Sequence, residues 1–330
     1  MVAEFSLQDY QAALSAAAFY RVPGAGYLRL GGADRLAFLQ RQTTNDVTRL
    51  APGHTILTVL TNPAARILDV LLLLPETDEV AGMLSLPGLA GETARFLKSR
   101  IFFKDQVSLS EASHELAQID LVGPSAGEAL ARLGIQQLPG TEKLLSGEIE
   151  GVDIRALGTP VYALPGTRLL VPAAQVDRVE AALTRQGAMP LTHASYQILR
   201  VENCLPGVES ELTREYTPLE VGLEAAISSS KGCYTGQEVI ARQHNFDKVT
   251  QHLALLRLQA PGQAVERLWV GGKPVGLLTS AATSPRFGPL ALAVIKRPYH
   301  QPGTSVIIGG DGKTGGAPAQ VAALPLTPPD

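Results

Sequence analysis

Lys231-Gly232-Cys233-Tyr234-Thr235-Gly236-Gln237-Glu238 stands where the chain changes character. Upstream, strand-like and helix-like segments alternate. From about residue 246 helical periodicity disappears. Short strand-like runs at 252–258, 268–270, 274–280, 290–295 and 304–308 take over, divided by Gly, Pro and Ser turns. Such a pattern predicts a small all-β barrel over 246–330, with the Pro-rich end from Pro325 to Asp330 frayed.

The octapeptide also carries chemistry. One of the two cysteines sits beside a lysine, between glycines, before a helix start. A cation and a helix N-terminus both stabilise a thiolate. A purely structural reading stands beside this one. Thr235-x-x-Glu238 has the spacing of a capping box, and Tyr234 with Val239 that of a hydrophobic staple. That reading accounts for Thr235, Tyr234, Glu238 and Gly232, but not for Lys231, Cys233 or Gln237.

Working back toward the N-terminus, two α+β units are expected. The first has a strand at 27–30, a helix opening at Asp34, a hairpin from 55–60 and 66–74 around Asn62-Pro63, a helix at 89–100 and a strand at 106–109. The second has a strand at 118–122 and a helix at 125–133 capped by Gly134. It continues with a hairpin of 161–164 and 168–171 around Pro165-Gly166, and a helix at 173–184. Two antiparallel sheets, each with helices on one face, follow. The division expected is 1–115 for the first unit, sharing residues from 190–245, then 116–245 ending in the octapeptide, then 246–330.

Bulk properties narrow the classes. A chain of 330 residues, 45% hydrophobic and 18% charged, suits a multi-domain globular protein. Net charge is −3, with no Lys/Arg run, so nucleic acid is not an expected partner. Two cysteines imply a reducing compartment and are too few for an all-cysteine metal centre. No His spacing suggests a metal site, no secretory signal opens the chain, and the apolar run Val70–Leu74 is too short to span a bilayer. A cytoplasmic protein without a stably bound metal or a membrane partner is expected. Gly24-Ala25-Gly26 lacks the third glycine of a dinucleotide loop, since position 29 is Arg. Gly312-Lys313-Thr314 lacks the P-loop glycine at 307, so Asp311-Gly312 reads as a turn.

KGCYTGQE resembles the signature of the YgfZ-type folate-binding proteins, relatives of the glycine-cleavage T-protein (aminomethyltransferase) that are linked to iron–sulfur cluster assembly or repair. Supporting segments are Gly32-Ala33-Asp34-Arg35 through Thr44-Asn45-Asp46-Val47, Arg200-Val201-Glu202, Thr217-Pro218-Leu219-Glu220 and Val275–Ser280. The resemblance covers roughly residues 25 to 300. It implies two α+β, ferredoxin-like domains and a C-terminal barrel around a central channel that holds tetrahydrofolate or a derivative. It makes Glu202 the partner of the pterin ring, with Arg200, Tyr234 and Gln237 as further folate contacts. It makes Cys233 the functional thiol, its pKa lowered by Lys231, and iron–sulfur client enzymes or assembly proteins the partners.

Departures from the T-protein pattern matter as well. Its Gly-Gly followed by Asp-Asp is here Ala65-Arg66-Ile67-Leu68-Asp69-Val70, so only Asp69 is left to assist aminomethyl transfer, and an ordinary strand carboxylate is the competing reading. Cys204 follows the Arg-x-Glu segment and is expected to be a packed thiol. Three functions are open on these residues: a folate-binding factor for iron–sulfur enzymes, a folate-dependent aminomethyltransferase, or a non-catalytic protein docking through Tyr234, Gln237 and Arg242.

Overall fold

The computed structural model describes residues 5–136, 138–310 and 314–327. The expected turn at Asp311-Gly312 and the last residues, 328–330, lie outside the described residues.

The chain opens with α1 (Leu7–Ser15) and β1 (Ala18–Arg21), which the sequence reading leaves unassigned. Next come β2 (Gly26–Gly31), α2 (Arg35–Gln42), β3 (Ile56–Thr61), β4 (Ile67–Thr77), β5 (Val80–Ser85), α3 (Ala90–Lys98) and β6 (Ser108–Glu111). These strands form an antiparallel sheet in the order β3-β4-β5-β2-β6. On one face, Leu28, Leu71 and Met83 pack against Phe38 and Leu39 of α2 and Leu97 of α3. The other face is covered too: Val70, Leu72 and Leu84 share a cluster with Leu157 and Leu170 of the second sheet. Cover on both faces explains why β4 reads as an unbroken apolar run rather than an alternation.

The second unit contains β7 (Leu116–Val122), α4 (Ala126–Arg132), β8 (Leu144–Ile149), β9 (Val152–Gly158), β10 (Gly166–Pro172), α5 (Val176–Arg185) and β11 (Met189–Pro190). Its sheet runs β11-β1-β7-β10-β9-β8, so β1, from the start of the chain, lies inside it, parallel to β11 and antiparallel to β7. Leu130 of α4 and Val179 and Leu183 of α5 cover one face. The expected hairpin of 161–164 with 168–171 is corrected here. β10 pairs with β7 and β9, and residues 161–164 form no strand. Pro160 and Pro165 bracket a loop whose Tyr162, Ala163 and Leu164 are buried, so the apolar signal came from a packed loop.

Helix α6 (His193–Glu202) and a long connection carrying 3-10 turns lead to α7 (Gln237–Asn245). The barrel follows: β12 (Gln251–Leu258), β13 (Arg267–Val270), β14 (Lys273–Ser284), β15 (Gly288–Lys296), β16 (Ser305–Ile308) and β17 (Ala317–Val321). It closes in the order β12-β15-β14-β13-β16-β17, with β17 returning to β12. Leu256, Leu268, Leu278, Ala293 and Val306 fill it. The architecture expected from the sequence, α+β units plus a closed C-terminal barrel, is the one observed. Among the described residues no helix is long and apolar enough to cross a membrane.

Candidate functional site

The two sheets, α6 and the 206–210 loop line a partly open central cavity of about 490 Å³. Helix α6 supplies its most polar wall. His193, Tyr196, Gln197 and Arg200 recur at i, i+3, i+4 and i+7, which places them on one helix face. The helix starts there because Thr192 caps it, its Oγ1 accepting from Ser195 N. Tyr20 comes in from β1, its ring stacked on Tyr196 with centroids 4.1 Å apart. The Tyr20 hydroxyl and His193 Nδ1 are hydrogen-bonded at 2.7 Å. Gly24, Pro87 and Gly88 from the first unit, with Glu209 and Ser210, add to the lining.

Two buried arginines brace this wall. Arg168 of β10 donates to both carboxylate oxygens of Asp120, at 2.6 and 2.8 Å, and to Gln118 Oε1 at 3.1 Å. Arg200 ties α6 to the barrel. It donates to Gln197 Oε1 at 2.7 Å, to the Leu205 carbonyl at 2.8 Å and to Ser280 Oγ of β14 at 2.9 Å. Glu211 completes the knot, accepting from Arg200 at 3.3 Å, Ser280 Oγ at 2.7 Å and Gly207 N at 2.6 Å. A Cβ on Gly207 would sit 2.9 Å from Arg200 Cζ, so a side chain there displaces the guanidinium.

Glu202 does not join Arg200 on the cavity wall. Two residues apart on a helix, their side chains diverge by about 200°. The Glu202 carboxylate accepts from Tyr10 Oη and Ser284 Oγ, both at 2.5 Å, and opens onto a separate cleft with Leu14, Arg286 and Phe287. Its contacts fasten α6 to α1 and the barrel. Among the described residues, the carboxylate that lines the central cavity is Glu209.

Asp69 lies fully buried on β4. Its Oδ1 accepts from Val70 N at 2.8 Å and Leu86 N at 3.0 Å, and its Oδ2 from Thr93 Oγ1 at 2.6 Å. Burial pushes its carboxyl up to about 7, against the lowering effect of those three donors. Its bonds to Leu86 and Thr93 hold the segment that presents Pro87 and Gly88 to the cavity. Asp69 itself is not on the cavity lining.

The octapeptide lies elsewhere, against the β3–β4 turn. Lys231 Nζ donates to the Thr43 and Asn45 carbonyls at 2.6 and 2.7 Å and lies 5.0 Å from the Tyr234 ring centroid. Burial pushes this ammonium down to about 8. Tyr234 packs with Ala65, Leu219 and Ile240, and Thr61 Oγ1 donates to the Thr235 carbonyl at 2.7 Å. Cys233 and Gly232 are exposed. The expected capping box is corrected: α7 begins at Gln237 with Gly236 as its N-cap, at φ +86°, and no side chain caps it. A Cβ on Gly236 would meet the Asn62 carbonyl at 2.8 Å. The Lys231 ammonium, expected to act on Cys233, is committed to the two carbonyls. None of Lys231, Cys233, Tyr234 and Gln237 lines the central cavity.

Cys204 is half-buried at φ +52°, and burial with nearby Glu211 pushes its thiol up to about 12. Among the described residues no three His, Cys, Asp or Glu side chains converge as metal ligands. The sequence reading missed Tyr20, His193, Tyr196, Gln197 and Arg168. The signal available was the i, i+3, i+4, i+7 stripe from His193 to Arg200.

Comparison with known families gives the fold a lineage. Residues 2–231 match the GCVT N-terminal domain, and residues 252–327 match the glycine cleavage T-protein C-terminal barrel domain. The chain belongs to the glycine cleavage T-protein family. A transferase of Arabidopsis thaliana, so named provisionally and described as chloroplastic, is 31% identical over 290 residues, covering 87% of this chain and 67% of that protein. An aminomethyltransferase of Exiguobacterium sibiricum is 27% identical over 299 residues, covering 88% and 82%. The solved aminomethyltransferase T of Bartonella henselae superposes with a TM-score of 0.83 over 97% of this chain and 88% of that one. At 20% identity it shows the shared T-protein-family fold.

Proposed function

We propose that this T-protein-family member is a folate-binding factor of the YgfZ type, holding tetrahydrofolate or a derivative in the central cavity and supporting iron–sulfur enzymes through Cys233. The observation that carries the reading is the display of Cys233. Its neighbours Lys231 and Tyr234 are buried and bonded into the first unit while the thiol faces solvent. A thiol so presented reaches a protein partner or an oxidant, not a ligand inside the cavity.

The cavity residues fit a folate. Its volume lies in the range of small-molecule sites, roughly 300–1,000 Å³. The Tyr20 and Tyr196 rings offer flat apolar surface for a pterin or benzoyl ring, and Glu209 an acceptor for an amino-pyrimidinone edge. When bound, the folate would supply a one-carbon carrier. Glu209 thus takes the role that the family resemblance gave to Glu202. Titration calorimetry with tetrahydrofolate tests the site, with Tyr196→Ala and Glu209→Ala weakening binding and Cys233→Ala leaving it intact. Complementation of an iron–sulfur defect tests the thiol, with Cys233→Ala failing despite normal folate affinity. Full complementation by that variant removes the thiol from the mechanism.

The relatives named as aminomethyltransferases favour a second reading, transfer of an aminomethyl group to folate. Against it stands the placement of Asp69, which is occupied by three donors and off the cavity lining. Robust turnover from an aminomethyl-lipoyl carrier would decide for this second reading.

A further inference from the structure

We propose that the turn following α3 is a docking tip for an anionic lipid surface. Residues 95–104 carry Arg95, Lys98, Arg100 and Lys104 and no carboxylate, in a chain whose net charge is −3. All four cations are exposed. At the end of this segment Phe102 is 67% exposed and Phe103 94%, the most exposed large apolar side chain among the described residues. The sequence reading, which looked for an apolar run long enough to span a bilayer, expected no membrane partner. Spaced along the helix and turn, these cations precede and follow two adjacent rings in the chain.

The rings stand on a shaped turn. Phe102 N donates to Asp105 Oδ2 and Asp105 N to the Phe102 carbonyl, each at 2.9 Å. Arg41 of α2 holds the same carboxylate at 2.9 Å. Lys104 Nζ lies 5.6 Å from the Phe103 ring centroid and Arg100 Cζ 5.1 Å from that of Phe96. The carboxylates bonded to the turn are Asp105, neutralised by Arg41, and Asp34, which accepts from Gln106 N. A tip ordered in advance loses little freedom on docking.

Its size favours a lipid surface over a protein. A stable protein interface covers about 800 Å² per partner around an apolar core. Two protruding rings offer on the order of 300 Å². A bilayer demands no matching shape: the rings enter the boundary of the acyl region while the cations face phosphate headgroups. An apolar insertion and a basic patch together give reversible attachment where either alone is marginal.

Co-sedimentation with vesicles is the test, using phosphatidylcholine alone and phosphatidylcholine with about one third phosphatidylserine. The full chain should pellet with the anionic vesicles only, and less as salt rises to physiological strength. The double variant Phe102→Ser/Phe103→Ser and the double variant Lys98→Glu/Arg100→Glu should each lower the partition by at least about tenfold, with unchanged melting, because all four side chains are exposed. No pelleting of the wild type on anionic vesicles at low salt overturns the proposal. Full retention of binding by the phenylalanine variant overturns it too, because bulk charge then suffices. Self-association that this variant abolishes, without vesicle binding, assigns the tip to a protein contact instead.

Discussion

Lys231 Nζ donates to the Asn45 carbonyl oxygen at 2.7 Å. The lysine of the octapeptide is therefore an internal brace between the loop and the segment after α2, and its neighbour Cys233 is presented by that brace. Lys231→Met should loosen the loop and destabilise the fold by about 1–3 kcal/mol, because two buried carbonyls lose their donor. Urea unfolding of the variant measures this. If Lys231 served only the thiol, stability would be unchanged.

The two cysteines should separate cleanly in thiol labelling. Cys233 is exposed, whereas Cys204 is half-buried with its thiol pushed up to about 12. At neutral pH one equivalent of a disulfide reagent should react quickly in the native protein, and Cys233→Ser should remove it. The second equivalent should appear only with denaturant. Two fast equivalents in the native state would contradict the described packing.

Two glycines of the octapeptide should respond in opposite ways. Gly236 has φ +86° and no room toward the Asn62 carbonyl, whereas a Cβ on Gly232 meets nothing within 4 Å. Gly236→Ala should cost more than about 1 kcal/mol and Gly232→Ala within about 0.5 kcal/mol. Equal melting temperatures for the two variants would argue against the close approach of the octapeptide to the β3–β4 turn.

Asp69 gives a pH dependence whose sign follows from its environment. Its carboxyl is raised from 3.8 to about 7 in the folded protein. Between those values the native state holds a proton that the unfolded state has released. Its contribution to stability is present below the unfolded value, falls as pH rises through this window, and is lost above about 7. Asp69→Asn keeps the shape without the titration. The stability difference, wild type minus Asp69→Asn, should fall by on the order of a few kcal/mol from pH 4 to pH 7. A difference that is flat with pH would mean that Asp69 is not a buried titrating acid.

The Arg168–Asp120 pair is buried on both sides, with bidentate geometry. Asp120→Ala leaves an uncompensated guanidinium at the cavity wall and should cost about 3–5 kcal/mol. It should also weaken ligand binding in the cavity, measurable by calorimetry at a temperature where the variant is still folded.

Much of this fold was legible in the sequence. The barrel strands announced themselves as short apolar runs between Gly and Pro turns, and the first hairpin through Asn62-Pro63. The second sheet was harder to read. β8 and β9 join at Glu150-Gly151, with φ +51° and +78°, a tight turn written without the usual Asn-Gly. β1 and β11 are short strands whose pairing, between residues about 170 apart in sequence, no local pattern encodes. For the site, the family resemblance named Arg200 and Glu202 together, and a linear motif hides the half-turn between positions i and i+2 that puts Arg200 on the cavity wall and Glu202 in a separate cleft. Tyr20 and Tyr196 meet only once β1 is inserted, so their stack was invisible until the topology was known.

That inserted strand has a practical outcome. β1 fills the gap between β7 and the edge strand β11 in a sheet whose other members come from residues 116–190. Cleavage in the short link between Arg21 and Gly26 would sever it from the sheet it neighbours in sequence while leaving it in the sheet it belongs to. The N-terminal peptide and the remaining chain should then behave as a split protein. Each would be incomplete alone, and mixing the two would restore both the sheet and the Tyr20 wall of the cavity.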